Sequence, residues 1–426
     1  MKLVYLVLDG AAGDPNLGKT AYMIADKPNL DSLAYKSKCG LMYVIGKGIA
    51  PESDAAVLAL LGYDPINEHP GRGPIEALGV DIELKEEKEV AFRGNFATVD
   101  PLTKKIIDRR AGRGINKEEA NELASLIDGI QLLNGKGYAK VKATVGHRVV
   151  VVLGHKEKQL GDEVSNTDPA YERRGKVSVA LENFDATIKP CIPLNQDEKN
   201  RITCELVNEF TERAIKILSS SKVNESRLKN GMLPANAILL RDAGTGKAKM
   251  KDISAMYSNL KFSALTEMPV EKGIAKAAGM KMIDVSSISG ERKHVYEQWA
   301  LKTIEALSVS DVVYVHLKGP DEPGHEGNLK LKTKIIEDID KYYLGSIVKY
   351  LEKEDIAILV TSDHATPCEK KAHSDSPVPF LLYSKNFSDG DRIKRFDEVE
   401  CKSGSFGLIS EGKNLLKTVL SFLKML

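Results

Sequence analysis

The chain has 426 residues, 42% of them hydrophobic and 28% charged, which is typical of a globular protein with two or three domains. Its 61 Lys and Arg residues balance 60 Asp and Glu residues, so the net charge of +1 gives no general attraction to nucleic acid or an anionic membrane. The N-terminal apolar run, residues 3–8, ends at Asp9 and is too short for a signal peptide or a membrane span. We therefore predict a cytoplasmic protein with neither nucleic-acid nor membrane partners.

The cysteines point to the same compartment. They are odd in number and form no CxxC motif, which argues against a disulfide framework or a zinc ribbon. The five are Cys39, Cys191, Cys204, Cys368 and Cys401. We expect a reducing environment.

The first part of the chain alternates strand and helix patterns. We predict strands at 3–8 and 39–45 and helices at 29–36 and 54–61. From Val80 the pattern changes, because charged and apolar residues alternate over 82–99 and predict an antiparallel hairpin. The remaining elements predicted for this middle region are a helix at 117–127, a strand at 147–153, a helix at 197–218 and a polar loop at 219–230.

Beyond residue 253 the strand and helix alternation returns. The predicted helices are 273–278, 293–307, 328–351 and 411–424, and the predicted strands are 281–285, 311–317, 356–361 and 378–383. Such alternation builds a mostly parallel sheet with helices on both faces. We therefore predict an α/β core formed by residues 1–75 and 252–426, interrupted by an inserted α+β domain at 76–251.

Acidic residues and histidines follow three of these strands. The carboxyl ends of parallel strands lie at one edge of a sheet, so residues after different strands can converge on one site. The candidate ligands are Asp9, Asp321, His325, Asp363, His364 and His373. Each alone is explained as well by a helix cap or an exposed side chain, but the joint pattern after three strands favours a metal site.

Mixed Asp and His ligands suit Mn²⁺, with Zn²⁺, Co²⁺ and Mg²⁺ as alternatives, better than a calcium cage. Two such ions about 3.5–4 Å apart can clamp the attacking and leaving oxygens of a phosphoryl transfer. Ser53 is the candidate nucleophile because it stands at the start of a predicted helix, where backbone amides favour a phosphate. The alternative is that Ser53 only caps this helix.

Residues 13–20, GDPNLGKT, match the phosphate-binding pattern GxxxxGK[ST] of nucleotide hydrolases. The context argues against that function. The strand ends four residues too early, Pro15 removes an amide donor, and Asp14 places an anion in the loop. We expect a polar loop.

Arginines of the middle region are candidates for binding an anion, because the guanidinium group pairs with carboxylate or phosphate through a planar fork. The segment DRRAGRG contributes Arg110 and Arg113, while Arg148 opens an apolar strand and Arg241 ends one. Lys318, three residues before Asp321, is a further candidate for substrate binding. Strand-end arginines are also common as surface ion-pair partners.

Together these segments resemble the archaeal-type cofactor-independent phosphoglycerate mutases of the alkaline phosphatase superfamily. The matching segments are LVLDG, SDAAVLALLGYDP, RRAGRG, LLRDAG, HLKGPDEPGHEG and TSDHATPCEKKAHSDSPVP, in order along nearly the whole chain. The resemblance implies an alkaline-phosphatase-like core, a cap domain that closes over the substrate, and two metal ions. It implies one ion held by Asp321, His325 and His373, and the other by Asp9, Asp363 and His364 together with Ser53.

The activity that the resemblance implies is interconversion of 3-phosphoglycerate and 2-phosphoglycerate through phosphorylated Ser53, without 2,3-bisphosphoglycerate. Arginines of the insert would hold the substrate carboxylate. Two alternatives stay open: a metal-dependent phosphomonoesterase or a mutase for another phosphate ester, and a metal-binding scaffold without activity. The large insert with its arginines argues against plain hydrolysis, and the sequence leaves monomer and homo-oligomer equally open.

Overall fold

The computed structural model describes residues 1–174, 177–181, 183–288 and 291–426. The chain divides into two compact units. The core unit comprises 1–69, 250–267 and 274–426, and the insert unit comprises 70–249 and 268–273. The two junctions after residues 69 and 249 lie six and two residues before those expected from the sequence.

The strands and helices follow each other along both units. The strands are β1 (Lys2–Leu8), β2 (Lys38–Met42), β3 (Glu89–Val99), β4 (Ile106–Asp108), β5 (Gln131–Leu132), β6 (Gly137–Ala143), β7 (Arg148–His155), β8 (Tyr171–Arg174), β9 (Val177–Ala180), β10 (Ala237–Thr245), β11 (Phe262–Leu265), β12 (Lys281–Met282), β13 (Val312–Leu317), β14 (Ile356–Thr361), β15 (Val378–Tyr383) and β16 (Gly407–Ile409). The α-helices are α1 (Ala21–Ile24), α2 (Pro28–Lys36), α3 (Ser53–Leu60), α4 (Arg72–Gly79), α5 (Lys117–Ile127), α6 (Glu198–Ser219), α7 (Lys222–Lys229), α8 (Ile253–Met256), α9 (Pro269–Ala277), α10 (Arg292–Ala306), α11 (Asp321–Glu326), α12 (Leu329–Asp338), α13 (Gly345–Leu351) and α14 (Leu415–Phe422). Short 3₁₀ turns occupy Ala111–Arg113, Leu133–Gly135, Glu400–Ser403 and Gly412–Asn414.

The core unit contains an eight-stranded sheet in the order β12-β11-β13-β1-β14-β15-β2-β16. Its centre is parallel, since β1 pairs in parallel with both β13 and β14, while β15 runs antiparallel to its two neighbours. Leu3 to Leu8 of β1 are completely buried, which explains their unbroken apolar run, because a central parallel strand is covered on both faces. The predicted α/β class and mostly parallel sheet are confirmed. The carboxyl ends of β13, β1 and β14 consequently lie side by side.

The insert unit is built on an antiparallel sheet in the order β10-β3-β7-β6-β5, with β4 paired to the end of β3. Helices α5 and α6 pack against this sheet through a cluster that includes Leu123, Leu206 and Phe210. A separate two-stranded ribbon is formed by β8 and β9. Among the described residues of the chain, no helix is long and apolar enough to cross a membrane.

Two predictions about the insert are wrong. Residues 82–99 form no hairpin: a loop leads into the single long strand β3, whose partners are β7 and β10. Alternation predicts the two faces of a strand but carries no information about its partner. Residues 219–230, expected as a loop, contain α7, because Ser221 caps its first turn and Asn224 is buried against two backbone carbonyls.

The helix predicted at 328–351 is interrupted in the structure. It consists of α12 and α13 joined by a π-helical turn at Ile339–Leu344. Asp340 of this turn accepts hydrogen bonds from the amides of Asn29 and Leu30 at the start of α2. The π-helical turn therefore occurs where this segment contacts a helix that is distant in the sequence.

Candidate functional site

The six candidate metal ligands lie in two groups of three at the carboxyl ends of the central strands. Within each group, one nitrogen or oxygen atom per residue lies within 4.8 Å of the corresponding atoms of the other two. The buried triad is Asp9, Asp363 and His364, and the open triad is Asp321, His325 and His373.

The buried triad comes from two neighbouring strands. Asp9 directly follows β1 and is 3% exposed, while Asp363 and His364 follow β14 and are completely buried. Gly10 has a φ of +58°, and a Cβ added there would lie 2.6 Å from Asp321 Oδ1. The glycine after Asp9 therefore permits the turn and keeps space for the neighbouring triad.

Each residue of the buried triad has one polar atom that is held from outside. Asp363 Oδ1 accepts a hydrogen bond from the Gly10 amide at 2.9 Å, and Asp9 Oδ2 lies 3.0 Å from Lys318 Nζ. His364 Nδ1 lies 3.0 Å from the Thr366 hydroxyl. These contacts fix both carboxylates and the imidazole ring.

The remaining atoms of the buried triad face one another. His364 Nε2 lies 3.4 Å from Asp363 Oδ2 and 3.6 Å from Asp9 Oδ1. Within the described chain, none of these three buried atoms makes a hydrogen bond. Buried polar atoms are almost always paired, and two carboxylate oxygens beside an imidazole nitrogen are suitable ligands for a divalent cation. The residues present therefore fit a metal ion.

The hydrogen bonds also determine the tautomer of His364. The Thr366 hydroxyl donates to Asp321 Oδ1 at 2.7 Å, so its oxygen is left to accept the proton on His364 Nδ1. The lone pair of Nε2 then points to the two carboxylates, as in other metal sites with an oriented imidazole. Thr366 thereby links the two triads.

Burial controls the protonation of two members of the buried triad, Asp9 and His364. Burial raises the pKa of Asp9 to about 8; Lys318 opposes this increase, and Asp363 adds to it. Burial lowers the pKa of His364 to about 4 even though Asp363 favours the charged ring. His364 is consequently a neutral imidazole at neutral pH, the form that binds metals.

The open triad is organised around one carboxylate oxygen. Asp321 is the first residue of α11, and His325 lies on the same face because it is four residues further along the helix. Asp321 Oδ1 is 3.5 Å from His325 Nε2 and 3.6 Å from His373 Nε2. Both Nδ1 atoms contact backbone carbonyls, His325 that of Lys371 at 3.1 Å and His373 that of Pro51 at 2.7 Å. A carbonyl only accepts, so both Nδ1 atoms carry protons and both Nε2 atoms face Asp321.

His373 of the open triad has the opposite protonation preference from His364. Burial lowers the pKa of His373, but its hydrogen bond to Asp321 and the charge of that carboxylate outweigh this effect and raise the pKa to about 9. For Asp321, burial favours the neutral acid, yet the hydrogen bond from His373 and the charges of His364 and His325 hold the pKa well below its usual range.

His316 is a member of this region that the sequence analysis missed. It lies inside β13, completely buried, with Nε2 3.3 Å from Asp363 Oδ2 and 3.9 Å from Asp9 Oδ1. The available signal was a histidine in the otherwise apolar run VVYVHL. Lys318, a candidate for substrate binding, lies against Asp9, with Nζ 3.0 Å from Oδ2.

Ser53 is partly exposed and is the first residue of α3, with Glu52 in the capping position. The helix therefore begins one residue earlier than predicted, because the Glu52 carbonyl already accepts from the Ala56 amide. Pro51, whose carbonyl contacts His373, is two residues before Ser53. A chain extends at most about 3.6 Å per residue, which keeps the backbone of Ser53 within about 7 Å of that contact point.

The loop at 13–20 does not resemble a nucleotide site. Glu398 accepts hydrogen bonds from the Gly13 amide at 2.7 Å and from the Thr20 hydroxyl at 2.6 Å. The helix that follows, α1, has only four residues. A buried carboxylate thus uses two of the groups that would otherwise bind phosphate, and the structure agrees with the expected polar loop.

The insert unit contains a cluster of basic side chains on its sheet. Arg93 of β3 and Arg241 of β10 lie directly opposite each other, an arrangement of like charges that is unfavourable unless anions are near. Glu76 lies 3.0 Å from Arg72 Nε and 3.5 Å from Arg93 Nε. Burial and the neighbouring Arg72 and Arg241 lower the pKa of Arg93 to about 9.

Arg241 and Arg109 of the insert both contact the Asp168 carboxylate. Arg241 lies 3.7 Å from Asp168 and 3.9 Å above the ring of Tyr171. Arg109 holds Asp168 through two hydrogen bonds of 3.1 and 2.6 Å. Within the described residues, Arg241 Nη1 is buried and makes no hydrogen bond, and the Asp168 carboxylate lies 3.7 Å from it.

The remaining candidate arginines are Arg148, Arg113 and Arg110. Burial together with Arg148 and Arg113 lowers the pKa of His147 to about 4, so both arginines belong to the same positive region. Arg110 lies in the turn before the 3₁₀ segment, where its amide donates to Asp108. Arg72 and Arg93 were missed; a lone arginine within the apolar strand AFRGNF was the signal for the latter.

Comparisons with known proteins agree with these observations. A family model described as 2,3-bisphosphoglycerate-independent phosphoglycerate mutase matches residues 34–224. A protein of that name from Aeropyrum pernix is 45% identical over 99% of this chain and 100% of its own length. Another from Methanocaldococcus jannaschii is 37% identical over 98% of this chain and 96% of its own.

A solved structure described as a cofactor-independent phosphoglycerate mutase from Thermoplasma acidophilum is 30% identical, with a TM-score of 0.62 and 99% coverage of both chains. A protein structure from Pyrococcus horikoshii has a TM-score of 0.77 at 27% identity and covers 100% of this chain and 98% of that one. The likeness extends over both units. The chain belongs to the family of 2,3-bisphosphoglycerate-independent phosphoglycerate mutases.

Proposed function

We propose that this protein interconverts 3-phosphoglycerate and 2-phosphoglycerate by passing the phosphoryl group through Ser53 at a site with two metal ions. The observation that carries the proposal is the convergence of three buried, unbonded ligand atoms from Asp9, Asp363 and His364. A second set of ligand atoms is adjacent, linked through Thr366. A small phosphorylated carboxylate as substrate and the cytoplasm as compartment are part of this proposal.

The buried triad would hold one ion together with Ser53, and the open triad would hold the other. Two divalent ions, preferably Mn²⁺ with Zn²⁺, Co²⁺ or Mg²⁺ as alternatives, would lower the pKa of the serine hydroxyl and neutralise the phosphoryl oxygens. His316 contacts the inner oxygens of both Asp363 and Asp9 and would keep these carboxylates in position. Lys318 would limit the negative charge that Asp9 adds.

Ser53 would act as the nucleophile. Its oxygen forms a bond to the phosphorus of 3-phosphoglycerate, the bond from phosphorus to the substrate oxygen breaks, and the proton lost by the serine balances the one gained by glycerate. The 2-hydroxyl oxygen of glycerate then bonds to the phosphorus and the bond from phosphorus to the Ser53 oxygen breaks. The proton lost by the 2-hydroxyl balances the one regained by the serine. The first position of α3 favours the phosphoserine, because free backbone amides at a helix start stabilise an anion.

The basic cluster of the insert would bind the glycerate carboxylate. Arg93, Arg241 and Arg148 are the principal candidates, since two of them are opposed like charges on one sheet. Arg110, Arg113 and Lys318 remain candidates with weaker support. Retaining glycerate after its phosphoryl group has left is what separates a mutase from a phosphomonoesterase, so this cluster decides between the two activities.

Substitution of the nucleophile tests the proposal. In an assay coupled to enolase, with Mn²⁺ and without 2,3-bisphosphoglycerate, Ser53→Ala should abolish turnover while leaving the metal content and fold intact. The matched control is Ser221→Ala, which removes a helix-capping serine of the insert and should cost only about 1 kcal/mol of stability with normal turnover. Near wild-type activity of Ser53→Ala would overturn the phosphoserine mechanism.

Substitution of the basic cluster tests the reaction type. Arg241→Ala should lower mutase activity and raise the inorganic phosphate released per turnover, because glycerate escapes and water attacks the phosphoserine. The exposed Arg201 provides the control, and Arg201→Ala should change neither quantity. If Arg241→Ala and Arg93→Ala both retain the wild-type ratio of 2-phosphoglycerate to phosphate, the cluster does not hold glycerate.

A further inference from the structure

Two cysteines of the insert unit lie unusually close together. The Sγ atoms of Cys191 and Cys204 are 2.6 Å apart, and the residues are 3% and 4% exposed. Both belong to the main hydrophobic cluster of the insert. The S–S bond of a disulfide is about 2.05 Å long, so the two sulfur atoms need to move only slightly to form that bond.

The backbone around the pair fixes this approach. Cys204 lies on α6, and Asn208, one turn later on the same face, makes two hydrogen bonds to Cys191. Its Oδ1 accepts from the Cys191 amide at 2.8 Å, and its Nδ2 donates to the Cys191 carbonyl at 3.0 Å. The Ser165 hydroxyl accepts from the next amide, that of Ile192. Cys191 is thereby held against Cys204 by contacts that do not involve either thiol.

A metal site does not explain the pair. Structural zinc sites use four ligands, whereas the groups able to hold a metal among the described residues contain no cysteine. The two residues are 13 positions apart, a spacing that no short sequence motif reveals. Cys368, in the core unit, contacts only the Pro323 carbonyl through its thiol among the hydrogen bonds of the described chain.

We propose that Cys191 and Cys204 form a disulfide that stabilises the insert unit. The two thiols lose two protons and two electrons, and a small-molecule disulfide accepts them through a mixed disulfide and leaves as two thiols. Because both sulfurs are buried, this exchange takes place while the chain folds. The closed bond is then protected from thiols in solution, which is the condition for it to persist in the reducing environment expected from the sequence. The bond limits the freedom of the unfolded chain by closing a short loop.

Peptide mapping tests whether the bond forms. The full chain is refolded in oxidised and reduced glutathione, denatured in an alkylating reagent and digested without reduction. We expect one cross-linked peptide joining Cys191 to Cys204, with Cys368 alkylated. Mapping also separates this bond from a link between Cys39 and Cys401, whose thiols contact each other in the core unit. Complete alkylation of both Cys191 and Cys204 would overturn the proposal.

Thermal unfolding tests whether the bond stabilises. Protein refolded with glutathione should unfold about 6–12 °C above protein refolded with dithiothreitol. Cys204→Ala should unfold at the lower temperature in both conditions, whereas Cys368→Ala should keep the difference. Equal midpoints for oxidised and reduced wild type contradict the proposal, and this comparison needs no variant to fold.

Discussion

The buried and open triads use the same residue types in different surroundings. The side chains of the buried triad are 0–4% exposed, whereas those of the open triad are 14–41% exposed. Burial lowers the pKa of His364 to about 4, while in the open triad the Asp321 carboxylate outweighs burial and raises the pKa of His373 to about 9. Burial therefore dominates the pKa of His364, whereas a neighbouring carboxylate dominates the pKa of His373, although both triads contain the same residue types.

The largest expected effect comes from breaking the buried triad. Asp363→Asn removes a charge from a site where water cannot replace it, so turnover should fall by about 10³-fold or more and bound metal from two ions to one per chain. The measurements are coupled turnover and elemental analysis. Asp311→Asn, at the opposite end of β13, is the control and should retain both ions. Two retained ions in Asp363→Asn would show that Asp363 is not a necessary ligand.

A smaller effect is expected from the open triad. His325→Ala leaves two protein ligands, and solvent can occupy the vacated position, so turnover should fall by about 10²-fold at low Mn²⁺ and recover as Mn²⁺ increases. The control is His294→Ala on α10, an exposed histidine outside both triads. The dependence of turnover on Mn²⁺ concentration measures the difference. If high Mn²⁺ restored the turnover of Asp363→Asn but not that of His325→Ala, the proposed contrast between the triads would be reversed.

The smallest expected effect concerns stability of the metal-free protein at different pH. The folded-state pKa of His373 is raised to about 9, so its stabilisation is complete below its unfolded value near 6.5 and is lost as pH rises through 9. His364 has the opposite sign, since its pKa of about 4 makes protonation destabilising as pH falls from 6.5 toward 4.

The thermal midpoint of chelated protein should therefore fall by about 2–4 °C more in wild type than in His373→Gln between pH 6.5 and 9. Both proteins retain Asp9, so the difference isolates the histidine. Calorimetry of both proteins across this range measures it. Parallel curves would show that His373 carries no raised pKa in the metal-free fold.

The sequence was informative wherever a local pattern coincided with a structural boundary. Strands β1, β13 and β14 begin and end within one residue of their predicted limits, because buried parallel strands are continuous apolar runs ended by polar residues. The six candidate ligands follow these strands, and the structure brings them together in threes. Their roles as ligands, like that of Ser53, remain predictions.

The missed residues lie within strands rather than at their ends. His316 and Arg93 each interrupt an apolar strand, and a pattern of this kind gives no distance to a partner on another strand. His316 lies beside Asp9 and Asp363 because β13 pairs with β1, which also pairs with β14. The paired residues of β1 and β13 are more than 300 positions apart in the sequence. Arg93 meets Arg241 because β3 pairs with β10 rather than with an adjacent hairpin partner.

The sequence by itself determined the α/β class and the residue types at the ends of the central strands. It also determined that the middle region has a different pattern of charged and apolar residues. Only the tertiary structure decided which oxygen of Asp363 is held by a backbone amide and which is left unbonded. It also decided that one triad is buried and the other open, and that Cys191 meets Cys204. The physical reason is that hydrogen bonding and burial depend on distances between atoms far apart in the chain, whereas strand and helix patterns depend on neighbouring residues.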